Sequence, residues 1–325
     1  MPQLPTTTEP VLDIDNLSIE FPGRPTVIDF SLRVQKGEVV AVIGESGSGK
    51  TLTALAVLGL LPRRARVSNG RITLGGRPML DLSTRERRNL LGDRVAFIPQ
   101  DAMRALNPMM SVGDQVGEPA VLHRSSGWQA ARKAAVEMLR AVDLKEPERR
   151  ARDYPHQFSG GMQQRAMIAM GLALEPELLI ADEPTTALDV TVQAQVIRLL
   201  KEIRDTHGTS ILFITHDLGL VADFCDRVYV MYAGRMVEEG PVGEIFASPR
   251  HPYTAALLAA TPSATERVDL LYAIPGQIPA AGETVSGCIF SPRCPRAQPA
   301  CGEAPTVQDV SPGHRVRCWF PEPAA

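Results

Sequence analysis

Eight consecutive residues, Gly44-Glu45-Ser46-Gly47-Ser48-Gly49-Lys50-Thr51, match the pattern G-x-x-x-x-G-K-[ST]. Each residue type has a mechanical reason. The glycines let backbone N–H groups converge on phosphate oxygens, and the start of the following helix adds the positive end of its dipole. Lys50 reaches the β- and γ-phosphates, and the Thr51 hydroxyl can ligate Mg²⁺. From average residue frequencies such a match arises by chance in about one per cent of chains this long. The loop alone leaves kinase, GTPase and helicase chemistry open.

A second constellation narrows the choice. In Leu178-Leu179-Ile180-Ala181-Asp182-Glu183 an apolar strand delivers two adjacent carboxylates at its end, a costly arrangement unless a cation or water chemistry uses it. This is a Walker B pattern. Asp182 can hold Mg²⁺ through its water shell, and Glu183 can polarise an attacking water as general base. The bland alternative is a strand-end pair that caps a helix.

The elements that position these residues follow from periodicity. Residues 11–20 alternate apolar and polar, 27–34 do so loosely, and 38–43 form a short β-branched run ending in glycine, so all three are predicted strands. Residues 50–60 carry a helical apolar pattern, while 94–98, 178–181, 211–215 and 228–231 resemble buried strands. Strands alternating with helices imply an α/β fold. Between residues 100 and 174 strand signals vanish, and 128–142 and 161–174 have helical periodicity, which places a helical insertion there. From Pro275 onward nine prolines fall in 51 residues, a composition that opposes regular helices and sheets.

Composition excludes several classes. Among 325 residues, 34 Lys and Arg against 37 Asp and Glu give a charge of -3, which is no footprint of a general nucleic-acid binder. The 44% hydrophobic content is enough to bury a core. Residues 1–10 lack the basic patch and apolar run of a signal peptide, and the most apolar helical stretch, 52–61, is half the length of a membrane span. Of five cysteines, Cys225 stands alone and Cys288, Cys294, Cys301 and Cys318 crowd the last 40 residues. That distribution fits a reducing cytoplasm better than a secreted disulfide framework.

Phe158-Ser159-Gly160-Gly161-Met162-Gln163-Gln164-Arg165 resembles the signature loop of ABC ATPases. The usual pattern begins with Leu and has Gln where Met162 stands, but the Ser-Gly-Gly centre is intact and supplies a hydroxyl and backbone N–H groups to a γ-phosphate. The other landmarks follow in family order: Gln100 in Phe97-Ile98-Pro99-Gln100, Ala187-Leu188-Asp189 after Walker B, and His216 in Ile214-Thr215-His216-Asp217. The resemblance implies that Gln100 contacts Mg²⁺ and the lytic water and links to a transmembrane partner. It implies that Asp189 organises a dimer interface and that His216 holds the γ-phosphate. Phe21 matches the aromatic on which adenine stacks, a core phenylalanine being the other reading. The implied fold is a P-loop NTPase core with an antiparallel β subdomain and a helical insertion, followed by an irregular Cys- and Pro-rich extension. The division expected is residues 1–99 with 175–247 for the ATP-binding core, 100–174 for the helical subdomain and 248–325 for the extension. Such subunits close as head-to-tail dimers in which Ser159 of one faces the phosphate loop of the other.

The stretch Asp101-Ala102-Met103-Arg104-Ala105-Leu106-Asn107-Pro108-Met109-Met110 is similar to the matching segment of oligopeptide and dipeptide importer ATPases, as is His251-Pro252-Tyr253-Thr254. The likeness continues through Ile274-Pro275-Gly276 and Gly287-Cys288 to Pro292-Arg293-Cys294-Pro295 and Cys318. That family implies two membrane permease subunits, a second ATPase that is a sibling or another copy, and an extracytoplasmic peptide-binding protein. It places the chain at the cytoplasmic face of the membrane. It also includes transporters of nickel and other small solutes. A soluble ABC ATPase acting on DNA or ribosomes is the competing class, disfavoured by a single cassette without sustained heptads. A small-molecule kinase would leave Ser159-Gly160-Gly161 and His216 without a job. Some relatives of this family hold a [4Fe–4S] cluster, and the resemblance extends that expectation to Cys288, Cys294, Cys301 and Cys318, with Cys₄ zinc as the alternative.

Overall fold

The computed structural model describes residues 9–186, 188–261, 273–279, 283 and 285–323, apart from the side chains of residues 102 and 103. In chain order its strands are β1 (Leu12–Phe21), β2 (Arg24–Val34), β3 (Val39–Ile43), β4 (Arg66–Leu74), β5 (Arg77–Pro78), β6 (Val95–Ile98), β7 (Leu178–Asp182), β8 (Ser210–Ile214), β9 (Arg227–Tyr232), β10 (Arg235–Pro241), β11 (Gln308–Ser311) and β12 (His314–Val316). The helices are α1 (Lys50–Leu58), α2 (Thr84–Leu90), α3 (Ala102–Ala105), α4 (Val112–Arg124), α5 (Trp128–Ala141), α6 (Pro147–Arg150), α7 (Gly160–Leu172), α8 (Val190–His207), α9 (Leu218–Phe224), α10 (Val242–Ala247) and α11 (Pro252–Ala259). None of the described helices is long and apolar enough to cross a membrane. The chain divides into two compact units, one of residues 12–33, 39–80 and 214–325, the other of residues 1–11, 34–38 and 81–213.

The first unit holds an antiparallel sheet in the order β2-β1-β4-β5. Along β1 the buried side chains run Leu12, Ile14, then Leu17 and Ile19. A register shift opposite β4, with Asn16 at φ 50°, moves the inward face from even to odd positions and keeps both halves of the strand on the core. The same unit carries strands in the order β11-β12-β10-β9-β3, with β3 parallel to β9 and buried throughout. Ala233 and Gly234, both at positive φ, make the tight turn of the β9–β10 hairpin. Strand β4 left a weak trace in sequence because Asn69-Gly70 breaks its alternation. Strand β10 was masked by Glu238 and Glu239, which are buried inside it.

The extension departs from the expectation of irregular chain. Strands β11 and β12 form a hairpin, and β12 pairs antiparallel with β10, Glu238 opposite Val316. The prolines are high on average, yet residues 306–311 and 313–320 contain none, and Pro312 sits at the hairpin turn where a missing N–H costs nothing.

The second unit holds β8-β7-β6, with β6 and β7 parallel. Helices α4, α5 and α7 pack on one another around Val112, Val116, Ala131, Ala135, Leu139 and Ala166, all buried. Asp114 extends the first turn of α4 toward Arg132 of α5. Three end-capping side chains, Ser111, Ser159 and Asp189, start α4, α7 and α8 by accepting hydrogen bonds from backbone N–H groups.

Candidate active site

The phosphate loop joins β3 to α1. Gly44 has φ 148°, and a Cβ there would stand 2.0 Å from the carbonyl oxygen of Met231. Only glycine fits. Gly49 caps α1 without a side chain, so the first N–H groups of the helix remain open to a ligand. Lys50 is buried, and its ammonium donates to the carbonyls of Gly44 at 2.8 Å and Glu45 at 3.1 Å, which folds the charge back over the loop. Thr51 is exposed, as its proposed chemistry requires. In the same unit His216 is exposed beyond β8, and Phe21 is half-buried at the end of β1 rather than in the core.

The carboxylates belong to the other unit. Strand β7 is buried along its length and ends in Asp182, which is itself buried. Glu183 follows at φ 48°, the left-handed region that non-glycine residues seldom occupy. This turn aims its carboxylate away from the strand. Gln100 donates from Nε2 to Glu183 Oε2 at 2.9 Å, and the Thr186 hydroxyl donates to the same oxygen at 2.9 Å. One oxygen is thereby fixed by two donors, orienting the group. Thr186 escaped the sequence reading, although a hydroxyl three residues after an acid at a turn was the available signal.

Ser159 and Gly160 are exposed at the start of α7, and Ser159 Oγ accepts from the Met162 N–H at 3.4 Å. Asp189 Oδ1 accepts from the N–H groups of Thr191 and Val192, each at 3.0 Å. Its observed work is to cap α8. Ser159, Gly161 and Asp189 line one open cleft of about 450 Å³, so two of the landmarks separated in sequence meet. Ala187, between Walker B and Asp189, lies outside the described residues.

All the cysteines are free thiols, with Cys288 buried and Cys294, Cys301 and Cys318 half-buried. Gly287, at φ 78°, lets the chain pass so close that a Cβ would lie 2.3 Å from the Cys301 carbonyl, and the Cys288 N–H donates to that carbonyl at 2.9 Å. Burial pushes the thiols of Cys288, Cys294 and Cys318 up, Cys318 to about 11. Backbone N–H groups of Phe290 and Ser291, Arg296 and Phe320 oppose this by bonding the sulfurs of Cys288, Cys294 and Cys318 in turn. The sulfurs of Cys288, Cys294 and Cys301 all add to the rise at Cys318. Among the described residues, however, no group of three or more His, Cys, Asp or Glu is arranged to hold a metal ion.

Residues 27–186 match the family described as ABC transporter, and residues 237–301 match the family described as oligopeptide/dipeptide transporter, C-terminal region. The dipeptide transport ATP-binding protein DppD of Escherichia coli is 43% identical over 96% of this chain and 97% of its own. The oligopeptide transport ATP-binding protein OppD of Salmonella typhimurium is 44% identical over 98% of this chain and 96% of its own. Among solved structures, a dimeric ATP-binding cassette in a post-hydrolysis state with ADP and phosphate superposes with a TM-score of 0.65 at 27% identity, covering 71% of this chain and 98% of that one. The chain therefore belongs to the ATP-binding subunits of ABC transporters, within the oligopeptide/dipeptide importer family.

Proposed function

We propose that this ATPase energises uptake of peptides through a membrane ABC importer, from the cytoplasmic face. The observation that carries the reading is similarity that continues past the cassette into residues 237–301 and on through nearly the full length of dipeptide and oligopeptide transport relatives. Its partners are two permease subunits, a second ATP-binding subunit of the same or a sibling chain, and an extracytoplasmic peptide-binding protein. Nucleic acid has no part in it. The working division is residues 1–99 with 175–247, 100–174, and 248–325.

In this mechanism the loop amides and Lys50 bind the ATP phosphates, Phe21 stacks on adenine, and His216 holds the γ-phosphate. Glu183, oriented by Gln100 and Thr186, takes the proton of the attacking water. Thr51, Gln100 and Asp182 offer only oxygen donors and would hold Mg²⁺, which when bound neutralises charge on the β- and γ-phosphates. Ser159, Gly160 and Gly161 face the γ-phosphate bound by the second subunit, with Asp189 at the interface. Closure is favoured by contacts that ATP makes and ADP lacks, so hydrolysis reopens the pair. In the assembled importer Glu183→Gln should retain MgATP binding while turnover falls by about 10²–10⁴-fold, and near-normal turnover would remove Glu183 as base. Isolation from native membranes should recover permeases and a peptide-binding protein. Recovery of a nickel-binding partner would overturn the peptide assignment, and recovery of no permease would overturn transport.

The four cysteines of the extension hold a [4Fe–4S] cluster in this reading. Support comes from the nearness of the Cys301 sulfur to Cys288, Cys294 and Cys318, each of which it pushes up, and from backbone amides directed at those three sulfurs, which would stabilise ligated thiolates. The cluster would contribute cross-linking of a chain segment poor in regular structure. Anaerobically purified protein should be brown, contain iron and sulfide, and lose both when any of the four is changed to Ser, with Cys225→Ser unaffected. Colourless protein with stoichiometric zinc would replace the cluster by a Cys₄ zinc site.

A further inference from the structure

The second residue of the phosphate loop is an acid. Glu45 lies where the chain must receive a polyanion, and an uncovered carboxylate there repels the ligand. Three groups hold it, and two come from the extension. The Glu45 N–H donates to the Tyr253 hydroxyl at 3.0 Å. The Glu45 carboxylate, 23% exposed, pairs with the Arg293 guanidinium, 6% exposed, at 3.0 Å. The Glu45 carbonyl accepts from Lys50, the loop's own cation.

Arg293 is itself built in. Its Nε donates to the Pro275 carbonyl at 2.9 Å and its Nη2 to the Ile274 carbonyl at 3.2 Å. The guanidinium lies 5.7 Å from the centre of the Tyr232 ring, and Tyr232 packs 4.7 Å from Tyr253 and 5.2 Å from Phe290, centre to centre. A charge fixed by two carbonyls and an aromatic wall has few other positions to adopt. It sits on the short 3₁₀ turn at Ser291–Arg293, between Cys288 and Cys294.

We propose that the extension is a working part of the nucleotide site, with Arg293 and Tyr253 acting as positioning residues that fix the phosphate loop through Glu45, Arg293 also cancelling its charge. The proposal rests on reading residues 44–51 as the phosphate loop. Anything that disorders the cysteine segment then withdraws Arg293 and weakens ATP binding, at a site far from it in sequence.

The test is titration of the purified full chain with a fluorescent non-hydrolysable MgATP analogue. Arg293→Ala should raise Kd about tenfold, with the loss shrinking as salt rises, because it is electrostatic in origin. Arg293→Lys should recover part of it, and Tyr253→Phe, which removes one oxygen from a buried ring, should raise Kd about threefold. In a Glu45→Gln background Arg293→Ala should add less than about twofold. Equal losses in both backgrounds, independent of salt, would mean that Arg293 only holds the tail together and would overturn the proposal, as would wild-type affinity in Arg293→Ala. Lys50→Ala separates the two readings: if it too leaves affinity unchanged, the loop assignment itself fails, whereas a loss confined to Lys50→Ala sinks the brace alone.

Discussion

The phosphate loop and the cysteine-bearing extension solve one problem, ordering irregular backbone, in opposite ways. The loop is eight contiguous residues running from the end of β3 into the first turn of α1, shaped by Gly44, which passes against the Met231 carbonyl, and by a lysine that bonds its own loop. The extension has a comparable glycine, Gly287 against the Cys301 carbonyl, and a hairpin of its own, but it is anchored from outside itself. His314 Nε2 meets Glu238 Oε1 at 2.7 Å, Arg315 pairs with Glu239 at 2.5 Å, and the Arg317 N–H donates to the Val237 carbonyl at 2.8 Å. The loop takes its backbone shape mainly from its own glycines and lysine and borrows only the cover of Glu45 from a distance, whereas the extension borrows its anchorage as well.

The sharpest test of that contrast is Glu238. Its fully buried carboxylate accepts from the Arg250 N–H at 2.6 Å, the His251 N–H at 2.9 Å, and the His314 ring. Glu238→Ala should cost about 3–5 kcal/mol in urea unfolding by stranding these donors, while hydrogen exchange shows the extension losing protection before β3. Equal loss in both would break the comparison. Gly44→Ala should destabilise by about 3 kcal/mol and abolish measurable ATP-analogue binding, since the new Cβ meets a backbone oxygen that cannot move. Retained binding would show that the loop is softer than its geometry implies.

The pH dependence gives a third test, somewhat smaller. Burial holds His251 at a pKa of about 4 against the nearby charge of Glu238, and its Nδ1 accepts the Tyr253 N–H that starts α11. The unfolded chain binds this proton near pH 6.5 and the folded chain only near 4, so stability should fall as pH drops through that window. The contribution is about 3 kcal/mol, read as a drop in Tm. His251→Asn keeps an acceptor without the titration and should flatten the profile. A profile unchanged by that substitution would place the titration elsewhere. The smallest effect belongs to Gly287→Ala. It should cost about 1–3 kcal/mol confined to the extension, seen as faster exchange of the Cys288 amide with β7 unaffected.

Much of the site was legible because its parts are contiguous. The phosphate loop, the carboxylates after β7 and the Ser-Gly-Gly turn each carry their strand or helix beside them. The strands missed in sequence failed for local reasons, Gly70 interrupting β4 and two buried acids disguising β10. The hairpin of β11 and β12 was hidden by averaging prolines over a segment in which they fall outside the paired residues.

By itself the sequence determined the nucleotide chemistry, the order of its landmarks and the α/β alternation, since these depend on residue types and periods within a dozen or so positions. Only the tertiary structure decided that Gln100 holds Glu183 across 83 residues, that Glu238 anchors His314 across 76, and that Arg293 covers Glu45 across 248. Such pairs leave no periodic trace. Closing a longer loop costs little more than closing a shorter one, so packing, and not sequence distance, selects the partners.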